Sequence, residues 1–340
     1  MGNGRLRQRR RRADPLEHLA GERVSLERYL GQLFLAWFDQ RHGRDFALLP
    51  ESGPAKTGPS VGDGTAAAQL WAGDGERRLA LIVDRLYESE DEAWDRRRLE
   101  LEDRLSHALH AAHLLWMPPQ ARLPGEEPEE SEFVLRVQMR AAPLVAGGRG
   151  EVSLSVPLRL GRTRDEGAYV SVVGGLSRYW TAISERVRGV FDLDSTALHR
   201  LSRRPEVRAE LLARIADHSS RLSVGEGVEF EAEEAWIIQR LAEGEETFIV
   251  GCPPSFDPTD GTVLRRVMRR RLTAANEALG SLEADLKALA LVGVWEYAED
   301  EGAGAILRGF DSAIFSNIDV IAVLADGEVR PALSRLPHES

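Results

Sequence analysis

Asp84 stands where a hydrophobic stretch of the sequence gives way to a charged one. The segment LALIVDRLYESEDEAW, residues 79–94, has the pattern of a buried strand that leads directly into a charged helix. A carboxylate that leaves a sheet beside a helix can hold a catalytic metal, because Mg²⁺ prefers oxygen ligands. It can equally well face the solvent and bind nothing. Of these two interpretations we favour the second, an acid at the surface end of a strand.

A run of arginines in VLRRVMRRRL, residues 263–272, is the second group with chemical potential. Leu264, Met268 and Leu272 recur at helical spacing and predict an amphipathic helix. The opposite side of this helix carries Arg265, Arg266, Arg269 and Arg270. Guanidinium groups on one helix face are suited to contact phosphates, so this face is the predicted contact surface for a macromolecular partner. Pairing with acids elsewhere in the chain is the alternative.

Composition limits the class of protein to which this chain can belong. Of its 340 residues, 43% are hydrophobic and 29% are charged, as in soluble globular proteins. The formal net charge of −11 argues against a surface coated for non-specific nucleic-acid binding. A single cysteine, Cys252, excludes an intrachain disulfide and fits a reducing compartment. We therefore expect a cytoplasmic protein without a membrane partner.

The order of sequence patterns predicts an α+β (mixed α/β) fold in two parts. After a basic disordered tail over residues 1–15, residues 16–117 read as a helix over residues 16–40, three strands and a long helix over residues 90–116. A proline-rich, acidic linker is expected over residues 118–131. Residues 132–335 then read as a second mixed domain, which opens with a strand in EFVLRVQMRAA.

The helix–three strands–helix order of residues 16–116 resembles the restriction-endonuclease-like fold of the PD-(D/E)XK superfamily. In that family a helix glutamate, an aspartate at the start of the second strand and an acid–x–lysine at the end of the third gather Mg²⁺. The resemblance assigns the strand aspartate to Asp63 and the helix acid to Glu27. The third strand departs from the pattern, with Ile82 in place of the acid and Asp84 in place of the lysine. The resemblance therefore implies a nuclease-like fold without its catalytic lysine.

Three functional hypotheses follow. The one we favour is a non-catalytic bacterial binding or scaffold protein with a degenerate nuclease-like domain and no cofactor, whose unknown partner is a protein or a nucleic acid. The second is a Mg²⁺-dependent nuclease or phosphodiesterase in which Asp63 and Asp84 bind the metal and Glu27 assists. The third is a structural or self-associating protein without a nucleic-acid role, which requires an exposed apolar patch.

Overall fold

The structure is a computed structural model, and it describes residues 15–50, 67–86, 91–125, 127–241, 244, 246–256, 261–293 and 307–336. These residues form six α-helices and two mixed sheets, which confirms the predicted α+β class. None of the described helices has the length and the apolar character that a membrane span requires.

The elements follow one another with few long connections. The helices are α1 Pro15–His42, α2 Glu92–Ala108, α3 Glu129–Ala141, α4 Trp180–Ser184, α5 Pro205–Arg221 and α6 Gly261–Gly280, with 3-10 turns at Ser177–Tyr179 and Ser312–Phe315. The strands are β1 Ala47–Leu48, β2 Ala68–Gly73, β3 Arg78–Arg85, β4 His113–Trp116, β5 Arg149–Arg164, β6 Ala168–Gly174, β7 Gly189–Ser195, β8 Gly227–Arg240, β9 Thr247–Val250, β10 Leu286–Val292, β11 Val320–Ala325 and β12 Glu328–Ser334.

Sheet A has the strand order β1-β2-β3-β10-β11-β12. Its three central strands, β3, β10 and β11, run parallel, while the outer strands pair antiparallel. The carboxyl ends of the three parallel strands therefore lie at one edge of the sheet. Helix α6 immediately precedes β10 in the chain and packs on β3, so its N-terminus lies towards the same edge.

Both faces of sheet A are covered, which explains why β3 is apolar along its length. Side chains alternate along a strand, and Leu79, Leu81 and Val83 point into a core formed with α1. Ala80 and Ile82 point to the other face, into a core formed with α6. A strand buried on both sides needs a continuous hydrophobic run rather than an alternating one.

Sheet B has the order β6-β7-β5-β8-β4-β9 and is built around the long antiparallel pair of β5 and β8. Helices α2 and α3 pack over one part of it, and α4 and α5 pack over another. Helix α1 joins the sheets, because the core that it forms with sheet A also contains Trp116 and Phe248 of sheet B. The ring of Tyr29 on α1 lies 5.7 Å from that of Phe248, centroid to centroid.

The two sheets do not follow the expected division of the chain at residues 118–131. Sheet A takes β1, β2 and β3 from before this segment and β10, β11 and β12 from the last third of the chain. The expected linker is itself part of the fold: Ala121 and Leu123 are buried, and α3 begins at Glu129. Its proline and acidic content wrongly predicted a linker, because the apolar residues between the charges pack under α2 and α3.

Two predicted elements on sheet B are wrong in type. The predicted helix over residues 90–116 ends at Ala108, and the run His113–Trp116 is instead a buried strand between β8 and β9. The predicted strand in EFVLRVQMRAA is helix α3, whose buried residues include Phe133, Val137 and Ala141 at one-turn spacing. Short apolar runs are ambiguous between helix and strand when they are taken from the sequence alone. The expected tail lies outside the described residues, except for Pro15 at the start of α1.

Candidate functional site

Asp84 is not a surface acid, and the preference for that interpretation was wrong. It continues the face of β3 that packs against α6, and it is only 6% exposed. Its Oδ1 atom lies 3.5 Å from Nη1 of Arg271 on α6 and accepts a hydrogen bond of 2.8 Å from the backbone N–H of Arg85. The side chain of Arg271 is itself 9% exposed. A guanidinium of the chain therefore supplies the positive charge that a metal would supply under the Mg²⁺ hypothesis.

The acids assigned by the nuclease resemblance do not meet around Asp84. Glu27 is buried on α1, and α1 packs on the face of sheet A opposite to α6. The sheet therefore separates Glu27 from Asp84. Asp63, the third acid, lies outside the described residues. Within the part of the chain that the structure describes, no group of three or more acidic, histidine or cysteine side chains is placed to hold a metal ion.

The arginine helix is present as predicted, and most of its arginines face outward. Arg265, Arg266 and Arg269 are exposed, whereas Arg270 is half-buried. Two of the four are held against one aromatic ring, because the guanidinium carbons of Arg265 and Arg269 lie 4.7 and 5.7 Å from the ring centroid of Phe310. Cations over an aromatic face are stabilised by its quadrupole. We call these four residues the α6 arginine face.

The contacts of Arg265 explain how this face is ordered. Both of its terminal nitrogens donate to the backbone oxygen of Arg308 at 3.1 Å. Arg308 is exposed and adds a further cation beside the helix. Arg265, Arg266 and Arg269 form no ion pair with any residue that the structure describes. The alternative in which acids of the chain neutralise them is therefore not supported within the described ranges.

A second group of arginines, which was not predicted, lines a cleft where the two sheets meet. The cleft receives residues from the 3-10 turn before α4, from the segment that leads into α5 and from the β11–β12 turn. Its charged lining residues are Arg178, Arg200, Arg203, Arg208, Arg330 and Asp326. We call this the arginine cleft. Five guanidinium groups and one carboxylate in one concave surface make it strongly basic on an otherwise acidic protein.

Asp326 ties the two sheets together within the arginine cleft. Nη2 of Arg200 donates to its Oδ1 at 2.6 Å, and the same guanidinium reaches the backbone oxygen of Trp116 at 3.3 Å. Burial raises the pKa of Asp326 above its ordinary value, although Arg200 and Arg203 act in the opposite direction. Asp326 also has a positive φ of 54°, in the tight turn that connects β11 to β12.

Glu328 is the other acid that orders these arginines. Its carboxylate lies 3.1 Å from Arg203, 3.1 Å from Arg330 and 3.2 Å from Arg149. Burial alone would raise the pKa of Glu328, but these arginines more than offset that effect and the pKa is lowered. One carboxylate shared by three guanidinium groups leaves positive charge in excess.

The sequence offered no signal for the arginine cleft. Arginine supplies all but two of the 44 basic residues, so a single arginine in a segment does not by itself predict a site. The five lining arginines come from three separate parts of the chain, and only the packing of sheet A against sheet B brings them together. The α6 arginine face was found because its four members lie within two helical turns.

Comparison of the chain with protein-family models, with curated proteins and with solved structures finds no match. The resemblance to the restriction-endonuclease-like fold therefore stays a prediction. The chain has the element order α1, β1, β2, β3, α2, but α2 packs on sheet B and the face of sheet A opposite to α1 is covered by α6.

Proposed function

We propose that this protein is a non-catalytic binding protein that engages a polyanionic macromolecule through the α6 arginine face. The observation that carries the proposal is the exposure of Arg265, Arg266 and Arg269 without an ion pair to any described residue. Like charges that crowd on one helix face repel one another. A partner with several negative charges removes that repulsion and gains a contact from each guanidinium.

The order already present on this face favours binding. Long cationic side chains lose rotamer freedom when they are fixed in a complex, and this loss opposes association. The stacking of Arg265 and Arg269 on Phe310 and the bonds from Arg265 to the Arg308 carbonyl restrict these side chains in advance. These side chains have therefore lost part of their rotamer freedom before a partner binds, so less is lost on binding.

The Mg²⁺-dependent nuclease is a weaker candidate because its acids have other surroundings. Asp84 is in ion contact with Arg271, and Glu27 lies across the sheet from it. A bound metal next to Asp84 would have to compete with a guanidinium that is almost completely buried. A degenerate nuclease-like sheet that carries a binding surface on α6 accounts both for the contact of Asp84 with Arg271 and for the separation of Glu27 from Asp84.

The test is fluorescence anisotropy with labelled single-stranded and double-stranded oligonucleotides and with a labelled polyglutamate peptide. In the test variant, Arg265→Gln, Arg266→Gln and Arg269→Gln are combined. The matched control combines Arg164→Gln, Arg186→Gln and Arg188→Gln, which removes the same charge from exposed positions at the end of β5 and between α4 and β7. We expect the test variant to bind at least about tenfold more weakly than the control, since each lost charged contact is worth roughly a factor of ten.

The salt dependence gives an independent readout. Each duplex phosphate contact adds roughly 0.9 to the slope of log K against log salt. With a duplex, the test variant should therefore show a slope smaller by about 2 to 3 than that of the control. Binding of polyglutamate but of neither oligonucleotide would identify an acidic protein as the partner class. Equal affinities of the test and control variants for every probe would contradict the proposal.

Self-association is a second candidate function, and a separate observation favours it. Leu135 and Met139 lie one turn apart on α3 and are 56% and 69% exposed. Val145, shortly after the helix, is 72% exposed. Light scattering of the wild type and of the Leu135→Glu, Met139→Glu double variant tests this candidate. A dimer that dissociates in the variant supports it, and a monomeric wild type rejects it.

A further inference from the structure

We infer that the arginine cleft is a binding site for a small ligand that carries one or two phosphate groups. This inference goes beyond the proposed function and does not rest on it. The arginine cleft lies between the two sheets, whereas the α6 arginine face lies on the outer side of sheet A. The two sites can be tested and can fail separately.

The chemistry of the lining selects the ligand. Guanidinium groups present several N–H donors in a plane and bind phosphate oxygens in a bidentate manner. The arginine cleft supplies five of them against two carboxylates, Asp326 in its lining and Glu328 beside it. Asp326 is bound to Arg200 at 2.6 Å and Glu328 to Arg203 and Arg330 at 3.1 Å, so these acids orient three of the arginines and do not neutralise the whole cleft. A ligand with two or more negative charges would balance the remaining excess.

The position of Arg208 is the most specific part of the argument. Arg208 lies in the first turns of α5, and its guanidinium forms no ion pair with any described residue. A helix N-terminus carries partial positive charge, so a cation there is electrostatically unfavourable and an anion is favourable. An arginine at this place, beside four other arginines and without an ion pair to any described acid, is understandable if an anion binds between them.

The start of α5 adds donors of its own. The helix begins at Pro205 after Arg204, and no side chain caps its N-terminus. The first N–H groups of a helix lack partners within the helix and are a common anion site. Arg203, just before the helix, and Arg208, within it, both line the arginine cleft. The uncapped end of α5 and the arginines therefore belong to the same surface.

The dimensions limit the size of the ligand. The arginine cleft offers about 100 Å³, whereas pockets for drug-sized ligands are typically about 300–1,000 Å³. This space suits a phosphate or a diphosphate, either free or as the end of a larger molecule that extends into solvent. Tyr179 lies in the lining and could contact the rest of such a molecule.

Part of the site is preorganised. Arg200 is only 6% exposed, and Asp326 and the backbone oxygen of Trp116 fix its guanidinium. Glu328 holds Arg203 and Arg330 from one side. Fixed donors lose little conformational freedom when a ligand binds, and this raises the affinity of a small anion.

The experiment is isothermal titration of the full chain with orthophosphate, pyrophosphate, ADP and, as a non-phosphate dianion, succinate. The variants are Arg208→Gln in the cleft and Arg266→Gln on the α6 arginine face, which removes an equal charge at the other site. We expect saturable binding of pyrophosphate that Arg208→Gln weakens by roughly 10- to 100-fold, the range for one charged hydrogen-bonded contact. Arg266→Gln should change the affinity for pyrophosphate by no more than about twofold, because substitutions at distant, independent sites have small effects on each other.

The different outcomes separate the inference from its alternatives. Tighter binding of ADP than of pyrophosphate, with the difference lost in Tyr179→Ala, would support the site and identify its ligand as a nucleotide. Succinate that binds as well as pyrophosphate would overturn the assignment to phosphate. The absence of saturable pyrophosphate binding would also overturn the inference. An equal loss of pyrophosphate affinity in Arg266→Gln would overturn it as well. Because Arg208 forms no described ion pair, its variant should fold, and a thermal unfolding curve verifies this. Pyrophosphate should also raise the melting temperature of the wild type more than that of Arg208→Gln.

Discussion

Asp84 and Arg271 form an ion pair between the end of β3 and the middle of α6, with 3.5 Å between Oδ1 and Nη1. Both side chains are less than one-tenth exposed. The pair joins a helix to the sheet that it covers, so it explains the acidic residue at the end of an otherwise apolar strand. It also removes the main reason to place a metal there.

Breaking this ion pair from either side should destabilise the fold. Because removal of one partner leaves the other charge buried, we expect Arg271→Ala to lower the free energy of unfolding by about 3–5 kcal/mol. Urea denaturation measures the change. In the double variant Asp84→Leu, Arg271→Met no buried charge remains, and replacement of a buried pair by apolar residues is often close to neutral. A single variant as stable as the wild type would show that the pair does not contribute.

Magnesium should not bind through Asp84. We expect titration of Mg²⁺ or Mn²⁺ to give the same heats for the wild type and for the Asp63→Ala, Asp84→Ala double variant, because a guanidinium already compensates Asp84. The single variants Asp63→Ala and Asp84→Ala serve as the controls that separate the two acids. Saturable binding in the wild type that both variants lose would restore the nuclease hypothesis and require a cleavage assay.

Arg208→Gln should make the protein more stable when no phosphate is added. The substitution removes a cation from the unfavourable end of a helix dipole, which is worth about 0.3–1 kcal/mol. The control is Arg221→Gln in the last turn of the same helix, where the cation is favourable and lies 2.6 Å from Asp217. That variant should be slightly less stable than the wild type. Urea denaturation in a phosphate-free buffer checks both signs, and destabilisation by Arg208→Gln would count against the electrostatic argument.

Protonation of His113 should destabilise the protein in mildly acidic solution. Burial lowers the pKa of His113 below its ordinary value of 6.5, so the unfolded chain takes up this proton more readily than the folded one. The stabilisation is complete above pH 6.5 and is lost as the pH falls towards the lowered pKa of the folded state.

Urea denaturation at pH 7.5, 6.5 and 5.5 measures this effect. We expect His113→Gln to have a smaller decrease in unfolding free energy between pH 6.5 and 5.5 than the wild type. His107→Gln is the matched control, since it makes the same substitution at an exposed position on α2. Identical pH profiles for the wild type and His113→Gln would contradict the assignment.

Helices whose apolar residues recur at regular spacing over several turns were predicted correctly from the sequence. The predicted helix over residues 16–40 is α1, and the apolar residues Met268 and Leu272 of the predicted arginine helix are buried as expected. Over such lengths the hydrophobic pattern has few alternatives. Predictions failed where the apolar run was short: the run LLW is the greater part of strand β4, and the residues around Phe133 form helix α3.

The sequence by itself determined the α+β class, the long amphipathic helices and the α6 arginine face, because local periodicity and neighbouring charges encode them. Only the tertiary structure decided which strands share a sheet, since β10 inserts between β3 and β11 after more than half of the chain has intervened. It also placed Arg271 against Asp84 and collected the arginine cleft from three distant segments. Contacts between residues far apart in the chain follow from long-range packing, which the spacing of residue types within a short segment does not encode.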